Sequence, residues 1–558
     1  MSLLAIPDYK KKKLFNNSRK VLEAFHVKLP IYNFSITLAQ DQALHRLRKL
    51  ADKGMPEPKK PTGKKIIFHN LHGTYLEAIY KEASLAKPLQ LRGHDVKMLL
   101  CAGALTSCCG LFTNKVPPNQ WMCRNCNYFS QQFFDIIKLP YATYFDYIAP
   151  EQISAIKEHV ASLSLEEGKN LKYKKVNVGF HAITSAQRFY KGGDPTKSKY
   201  SYETVFRTRL ANAMISTDVA EQIIKKEKPD VMVTSHSCYA SWGSFADYFR
   251  YHDVQTYTWY TGYRPDSLIF DLDKIDNNYN DYYNTVRKKK PLTKAEENEL
   301  NSFLTKRTTG EKGGGETYFY GFTHKGEQEL EDQFHFSTYK KTCGIFPNLP
   351  WDVDLTYTNL VFNDVLDWVR HTIKLFYDKP EYKLIVKIHP AELLFQSEKT
   401  VLDEIKQQFP DLPKNISVIP PDTKISPYSL FPFLDCGIIY NGTLGLEMLM
   451  SNIPIVVAGE AHYRDKGFTY DASDKNDYRN LLLGDTKLKL TAEQYNIAKV
   501  YAYYYFIKSF IPFDVLYYKN YLNHGWKIKS FEEFAEGKNK YIDHISNYIV
   551  NGGVFQTW

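Results

Sequence analysis

The sequence predicts an α/β protein built from two doubly wound, Rossmann-like domains. Patterns typical of buried strands alternate with amphipathic helical patterns in both halves of the chain, as in parallel sheets covered by helices. The chain has 558 residues, which is enough for two or three domains. A charged and polar stretch over 272–316, which closes with three glycines at 313–315, predicts the connection between the halves.

Strand and helix signals follow one another in the first half of the chain. Residues 64–69 are predicted to form a buried strand, 76–91 a helix that ends at Gly93, and 94–101 the next strand. This β-α-β order predicts parallel strands joined by a right-handed crossover. The pattern recurs as a helix over 211–226 and strands over 229–235 and 254–259.

The second half repeats this organisation. Each predicted strand is short, apolar and bounded by turn residues, which is typical of a fully buried parallel sheet. The predicted elements are strand 341–346, helix 359–377, strands 382–387, 416–419 and 436–440, a helix that starts near Thr443, and strand 454–457.

Composition and charge narrow the class of partners. The net charge is +10, but the basic residues are spread along the chain without an aromatic-interleaved basic repeat or zinc-finger spacing, so no nucleic-acid partner is expected. A phosphorylated ligand or an anionic membrane surface explains the excess. The lysine run at 10–13 is read either as a solvated terminus or as a membrane-docking segment.

Three further features of the sequence predict the cellular compartment of the protein. No run of 18 apolar residues is present, the first 13 residues lack the apolar core of a signal peptide, and eight cysteines in 558 residues do not form a disulfide scaffold. We therefore expect a cytoplasmic protein, which can also contact the inner face of the cell membrane.

The most informative segment joins a predicted strand to a predicted helix. Asn441 or Thr443 is predicted to cap that helix, whose first N–H groups then face the crevice at the carboxyl end of the strand and suit a phosphate. Gly442 and Gly445 permit close approach of the backbone to a ligand. Glu447 lies one turn beyond Thr443, where its carboxylate can accept bonds from ribose or sugar hydroxyls. A capped helix packed on a sheet is the alternative.

A second segment places two basic groups at the end of another strand. Pro390 disfavours the helical conformation at His389 and so holds the imidazole at the carboxyl end of strand 382–387. Lys387 and His389 can neutralise a phosphate leaving group there, and His389 can also protonate it. A core histidine beside a loop proline is the alternative for this motif taken alone.

A third segment, residues 459–471, follows strand 454–457 and is predicted to open toward the same crevice. It carries Glu460 among several polar residues. The alternative is a polar surface loop.

These three segments resemble the bacterial capsule polysaccharide biosynthesis proteins, a group that includes the Kdo transferases of capsule linkers. The resemblance rests on Lys387-Ile-His-Pro390, on the turn and helix from Asn441 to Glu447, and on the loop 459–471. Similar turns occur in bacterial sialyltransferases, which use CMP-activated sugars. The resemblance implies a GT-B fold, in which two Rossmann-like domains face a cleft, and metal-independent sugar transfer without a required cofactor.

The resemblance also implies roles for individual residues. His389 is expected to contact the donor phosphate, and Asn441, Gly442 and Thr443 to hold it. Related turns often carry Gly-Ser-Thr at this place, so one phosphate-binding hydroxyl is absent here. The donor is therefore left open between a CMP-Kdo-like sugar and an NDP-sugar, and the acceptor is expected to be a surface oligosaccharide or a glycolipid.

Candidates for the catalytic base come from the first half of the chain. His72 follows the first strand and His236 follows the strand over 229–235, so either can deprotonate an acceptor hydroxyl; aspartates and glutamates are alternatives. Gly262, Tyr263 and Arg264 follow a further strand and are predicted to shape the acceptor side.

The cysteines leave two interpretations open. Five of them lie between positions 101 and 126, and Cys123 and Cys126 have zinc-knuckle spacing. With Cys108 or Cys109 as a further ligand they can form a small structural zinc site. The other interpretation is reduced, unligated thiols.

We predict four segments along the chain: a basic helical extension over 1–60, an acceptor-side domain over 61–315, a nucleotide-sugar-binding domain over 316–490, and an aromatic helical tail over 491–558 that crosses back to the first domain.

The sequence alone leaves three other functions open. They are an NDP-sugar 2-epimerase-like isomerase, a CDP-polyol phosphotransferase and a non-catalytic nucleotide-sugar-binding protein.

Overall fold

The structure is a computed structural model that describes residues 28–71, 73, 75–105, 120–190, 200–261, 264, 266–272, 290–311, 323–350, 360–394, 400–484, 487–520, 523–553 and 555. Four predicted site residues, His72, Cys109, Gly262 and Tyr263, and the lysine run at 10–13 lie outside these ranges.

Helices and strands alternate over much of the described chain. The helices are α1 Lys28–Ala51, α2 Leu76–Leu91, α3 Gln120–Ile136, α4 Pro150–Ser162, α5 Leu165–Lys169, α6 Val178–Tyr190, α7 Tyr202–Glu227, α8 Ala240–Arg250, α9 Lys294–Thr309, α10 Glu327–Phe334, α11 Val365–Tyr377, α12 Ala391–Leu394, α13 Val401–Gln408, α14 Leu444–Met450, α15 Lys475–Leu483, α16 Ala492–Tyr503 and α17 Lys540–Asn551. The strands are β1 Lys65–Asn70, β2 Asp95–Leu100, β3 Tyr141–Thr143, β4 Val231–Thr234, β5 Gln255–Thr261, β6 Ser267–Leu272, β7 Lys341–Ile345, β8 Tyr382–Lys387, β9 Ile416–Ile419, β10 Cys436–Ile439, β11 Ile455–Val457, β12 Tyr470–Asp471, β13 Ile511–Pro512, β14 Leu516–Asn520 and β15 Asn523–Trp526.

The described residues divide into two compact units. One draws on Met1–Phe112, Val116–Asp146 and Asp514–Asp543, and the other on Tyr147–Phe513 and His544–Trp558. The domain borders predicted at 60, 315 and 490 remain predictions.

The first unit contains a parallel β-α-β arrangement. β1 pairs with β2, and β2 pairs with β3, all in parallel. α2 supplies the crossover between β1 and β2, and it is buried along nearly its whole length. Its Tyr80 packs edge-on against Trp526, with ring centroids 4.9 Å apart, and the Trp526 indole N–H donates to Ser84 at 2.6 Å. Residues 514–543 of the chain's end are thus part of this unit's core.

The predicted helical tail differs from the structure in its middle part. α16 and α17 are helical, but β13, β14 and β15 lie between them, and β14 and β15 pair as an antiparallel hairpin. A strand is possible there because apolar and aromatic side chains such as Leu516 and Trp526 are buried by tertiary packing, which overrides local helical preference.

The second unit holds two groups of strands. β4 and β5 are parallel, while β6 and β13 extend this group in antiparallel fashion. The other group is a six-stranded, fully parallel sheet in the order β12-β11-β10-β7-β8-β9. Its inner strands are buried on both faces, for instance over Cys436–Ile439. The predicted doubly wound α/β fold is confirmed.

The order of the six-stranded sheet fixes where a ligand can bind. The chain enters at β7, moves outward through β8 and β9, and then returns to β10 on the other side of β7. The connections after β7 and β10 therefore leave the sheet in opposite directions. In open α/β sheets a crevice forms at such a reversal, outside the carboxyl ends of the strands.

The predicted connection over 272–316 is only partly a linker. Residues 294–309 form α9, which starts with a Thr293 capping box and ends at Gly310 in the left-handed conformation. Arg307 on this helix donates to Glu447 at 2.8 Å, and the Tyr428 hydroxyl donates to the same carboxylate. All three side chains are buried. α9 is therefore part of the core around the six-stranded sheet.

We expect Arg307→Ala to lower the free energy of unfolding by about 3 kcal/mol or more, because the substitution leaves the buried Glu447 carboxylate without its cation. Lys306→Ala, on the exposed side of the same helix, is the control and should change stability by less than about 0.5 kcal/mol. Chemical denaturation of both variants measures the difference. Equal midpoints for the two variants would contradict the ion pair's structural role.

Candidate functional site

The predicted basic and small-residue segments lie at one edge of the six-stranded sheet. His389 follows β8, Asn441 follows β10 and Gly459 follows β11, and all these strands are parallel. Since β7 separates β8 from β10 and neighbouring strands are about 4.8 Å apart, the ends of β8 and β10 are about 10 Å apart. A single nucleotide-sized ligand can span this distance.

Lys387 is the last residue of β8 and is almost completely buried. Only 4% of its surface is exposed. Burial lowers the pKa of its ammonium group to about 8, against a smaller opposing effect of Asp422. The ammonium group donates to the Ile388 carbonyl at 3.4 Å. A desolvated cation at a strand end gains more from an anionic ligand than a hydrated surface lysine does.

His389 is held as a neutral ring with a defined tautomer. Burial, and next the charge of Lys387, lower its pKa to about 4, so the ring is uncharged at pH 7. The Ala391 backbone N–H donates to Nδ1 at 3.1 Å, which makes Nδ1 the acceptor and assigns the ring proton to Nε2. His389 therefore presents a hydrogen-bond donor, rather than a cation, to a ligand.

The turn after β10 is braced by a tyrosine from the next loop. The Tyr463 hydroxyl donates to the Gly442 carbonyl at 2.5 Å. A Cβ on Gly445 would lie 2.3 Å from that hydroxyl, so glycine is required for this close approach. Gly442 itself has open space around its Cα. Thr443 precedes the first residue of α14 and has a helical backbone conformation, and its side chain makes no capping hydrogen bond within the described chain. The predicted cap by the Thr443 side chain is therefore wrong.

The loop after β11 is fixed by polar groups that point back into the fold. The Arg464 guanidinium donates to the carbonyls of Val457 and Gly459 at 3.2 and 3.3 Å, and it also reaches Ala472. His462 accepts from or donates to the Tyr501 hydroxyl at 2.8 Å. Glu460 follows Gly459 and is half-buried at the sheet edge.

Glu447 has a different environment from the one expected for a sugar-binding carboxylate. It is 3% exposed, and its two oxygens accept from Arg307 and from Tyr428. Its carboxylate thus stabilises the packing of α9 on α14. Because both oxygens are engaged in the core, Glu447 is not part of the proposed ligand site.

Two further polar side chains lie beside this crevice, and sequence patterns did not single them out. Asn348 follows β7, the strand next to β10, and its Oδ1 is buried without a hydrogen-bond partner in the described chain. Glu392, three residues after His389, is 1% exposed and accepts the Val401 backbone N–H at 2.9 Å on Oε1. Burial raises the pKa of Glu392 to about 7. The position of Asn348 beside the crevice follows only from the order of the strands, which no local sequence pattern reveals.

His236 lies at the end of β4, as predicted. Its Nδ1 is 3.0 Å from the Ser235 hydroxyl, and burial, followed by the charge of Arg188, lowers its pKa to about 4. The ring is therefore neutral at pH 7 and can accept a proton. Arg264 lies just before β6, with its guanidinium 5.9 Å from the centroid of the Phe303 ring.

The described cysteines of the first unit share one cavity. Cys101, Cys123 and Cys126 line this cavity, which lies at the carboxyl ends of β1 and β2. Cys123 and Cys126 lie on α3, and no group of three or more metal-ligating side chains occurs among the residues that the structure describes. Because Cys109 is outside those residues, the zinc site remains a prediction.

Within the described ranges, no helix is long and apolar enough to cross a membrane.

The family comparison bears directly on the crevice. Residues 355–506 match the model of the capsule polysaccharide biosynthesis protein family. This stretch contains Lys387, His389, the turn at 441–443 and the loop that follows β11. No curated protein matches the chain significantly in sequence.

Several solved structures are similar to the chain at low identity and low TM-score. KpsC of Thermosulfurimonas dismutans, a beta Kdo 2,4 transferase, is 15% identical, covers 49% of this chain and 80% of its own, and has a TM-score of 0.32. CalG4, the calicheamicin glycosyltransferase, is 11% identical over 80% of this chain and 95% of its own, at 0.25. UDP-GlcNAc 2-epimerase from Neisseria meningitidis is 11% identical over 79% and 95%, at 0.23.

The six-stranded parallel sheet, with a crevice at its carboxyl edge, is typical of Rossmann-like α/β folds, which bind ligands at this edge. Over residues 355–506, which carry the crevice segments, the chain is similar to the capsule polysaccharide biosynthesis proteins.

We expect Glu392→Gln to stabilise the protein at alkaline pH. The folded state raises the pKa of this carboxyl, so stability is lost as pH rises from the unfolded value near 4.5 through about 7. Glutamine keeps the acceptor for Val401 and removes the buried charge. The variant should be more stable than the unmodified protein by about 1–3 kcal/mol at pH 8 and similar to it at pH 5.

Chemical denaturation at the two pH values measures this difference. Glu327→Gln, at an exposed position on α10, is the control and should show no comparable pH-dependent gain. A Glu392→Gln variant that is less stable than the unmodified protein at pH 8 would rule out the buried-charge assignment.

Proposed function

We propose that the protein transfers a sugar from a nucleotide-sugar donor, CMP-Kdo-like or NDP-linked, to a surface polysaccharide or glycolipid acceptor. One observation carries the proposal. A desolvated lysine and a neutral histidine with its proton on Nε2 lie at the same sheet edge as an open glycine turn, and the family match covers all three.

In the proposed donor site, the phosphate lies across the carboxyl ends of β8 and β10. Lys387 supplies the positive charge that balances the phosphate, and the His389 Nε2–H donates to a phosphate oxygen. The open backbone at Gly442, with Asn441 and Thr443, holds the phosphate from the other side. Because both groups strengthen their interaction as charge develops on the leaving phosphate, they favour the transition state over the bound donor.

We propose that the transfer is metal-independent, since Lys387 and His389 provide the electrostatic stabilisation that a divalent cation supplies in other transferases. His236 is the proposed base for the acceptor hydroxyl, because its ring is neutral at pH 7. His72 is the second candidate from the sequence. Arg264 is assigned to the acceptor side.

The proposed location is the cytoplasmic side of the membrane. The net charge of +10 suits an anionic membrane surface, and the low cysteine content suits a reducing compartment. A protein that builds capsule polysaccharide on a lipid-linked acceptor needs this contact.

Two lysines on one strand provide a matched test of the donor site. Lys387 and Lys383 lie on β8, both are buried, and burial lowers the pKa of each to about 8. Lys383 lies about 13 Å from the carboxyl edge and donates to the Lys414 carbonyl at 3.2 Å. We expect Lys387→Met to weaken nucleotide binding by about 10- to 100-fold, while Lys383→Met keeps it within about threefold.

Thermal-shift titration with CMP, CDP, UDP and GDP measures the affinities, because a ligand that binds only the folded protein raises its midpoint. Binding to the unmodified protein should weaken above about pH 8, where Lys387 loses its proton, and this pH dependence should vanish in Lys387→Met. Equal affinities of the two variants would refute the placement of the phosphate.

A pair of substitutions at His389 separates hydrogen bonding from proton donation. If the neutral ring acts through Nε2–H, His389→Gln, which keeps an N–H donor, should retain transfer within about tenfold, and His389→Leu should lose about 100-fold or more. The readout is sugar transfer to a capsule-derived oligosaccharide. Similar losses in both variants would instead favour proton donation, and turnover of donor without acceptor would favour an isomerase.

A further inference from the structure

An aromatic cluster surrounds His236 at the carboxyl ends of β4 and β5. The ring centroids of Tyr239, Trp242 and Tyr260 lie 5.7, 5.8 and 6.2 Å from that of His236. Tyr239 and Trp242 belong to the start of α8, and Tyr260 belongs to β5. Two different elements thus present aromatic rings around one imidazole, at the end of the strands where α/β sheets bind ligands.

The exposure of these side chains separates the cluster from ordinary core packing. Trp242 is 6% exposed, whereas His236, Tyr239 and Tyr260 are only half-buried. The Ser237 hydroxyl, also half-buried, lies 3.1 Å from the Tyr260 hydroxyl. The accessible part of the cluster therefore combines aromatic faces with hydroxyl and imidazole groups.

Buried polar contacts hold the loop that carries the cluster. His181, which is 3% exposed, bonds through Nδ1 to the Cys238 carbonyl at 3.0 Å and through Nε2 to Asp247 at 2.8 Å. The Ala240 N–H donates to the Ser185 hydroxyl at 2.8 Å. A Cβ on Gly243 would lie 2.4 Å from the His181 ring, so glycine is required there. The rings are thus positioned before any ligand arrives.

We propose that His236, Tyr239, Trp242 and Tyr260 form a saccharide-binding subsite that stacks one sugar ring of the acceptor. The proposal rests on the proposed function, because it places the acceptor next to the base His236. A sugar ring has a C–H face that packs on an aromatic ring and a rim of hydroxyls that hydrogen-bond to polar side chains. Aromatic side chains with a polar tip suit such a ligand.

The ring orientations favour a sugar over a flat base. The planes of Tyr239, Trp242 and Tyr260 are inclined to the imidazole by 47°, 57° and 80°. None of the three rings is parallel to the imidazole, so the imidazole and one of these rings cannot sandwich a flat base between them. A non-planar sugar ring with substituents at its edge does not need two parallel aromatic faces.

One helix offers a matched pair of tyrosines for the test. Tyr239 precedes the first residue of α8 and belongs to the cluster, whereas Tyr251 follows the last residue of the same helix and is 37% exposed. The variants are Tyr239→Ala, Tyr260→Ala, Tyr260→Phe and the control Tyr251→Ala. Tyr260→Leu keeps apolar volume without a ring and replaces Tyr260→Ala if that variant does not fold.

The full chain, without nucleotide, is applied to an array of bacterial capsular and lipopolysaccharide oligosaccharides, and the strongest ligand is then measured by isothermal titration calorimetry. We expect Tyr239→Ala and Tyr260→Ala or Leu to weaken binding at least tenfold. Tyr260→Phe and Tyr251→Ala should stay within about threefold. The nucleotide-induced thermal shift should be unchanged in all variants, which separates this subsite from the donor site.

Three results would overturn the subsite: no oligosaccharide binding by the unmodified chain, equal binding by all variants, or a loss in Tyr251→Ala as large as in Tyr239→Ala. The nucleotide thermal shift and the transfer assay can still give the expected results in each of these cases, because they test the proposed function separately. Failure of the subsite is therefore distinguishable from failure of the proposed function.

Discussion

The direction of the strands is the constraint on which the candidate site depends. Every strand of the six-stranded sheet runs parallel to its neighbours, so the loops after β7, β8, β10 and β11 leave from one edge. The chain enters at β7 and later returns to β10 beside it, which opens a crevice between their outgoing loops. Residues far apart in sequence, such as His389 and Asn441, lie at the same edge because the strands that precede them run in the same direction.

Hydrogen bonds and an ion pair inside the fold fix the loops at the carboxyl edge of the sheet. Tyr463 ties the loop after β11 to the Gly442 carbonyl, and Arg464 ties the same loop to the strand-end carbonyl of Val457. Arg307 and Glu447 join α9 to α14 beneath the turn. Polar groups in the segments resembling capsule proteins thus divide into two sets. One set holds the loops, and the other, with Lys387 and His389, lies at the strand end where we propose that a ligand binds.

Much of the fold could be predicted from local pattern, because buried parallel strands and amphipathic helices leave a direct signal in sequence. α2, β8 and β9 have the predicted bounds. The hairpin of β14 and β15 was missed, since its aromatic residues are equally compatible with a helix until tertiary packing decides. Glu447 was placed on the correct helix, but its partner Arg307 lies 140 residues away and no local pattern reveals the pairing. Asn348 could be placed beside the crevice only from the order of the strands in the sheet.

The most direct test of the central claim is hydrogen–deuterium exchange of the full chain with and without a saturating CMP- or UDP-sugar. We expect protection of peptides that cover 386–393 and 440–446, where the carboxyl ends of β8 and β10 lie, and unchanged exchange at the amino ends of the same strands. Protection confined to the amino ends, or to the other group of strands, would contradict the assignment of the donor crevice.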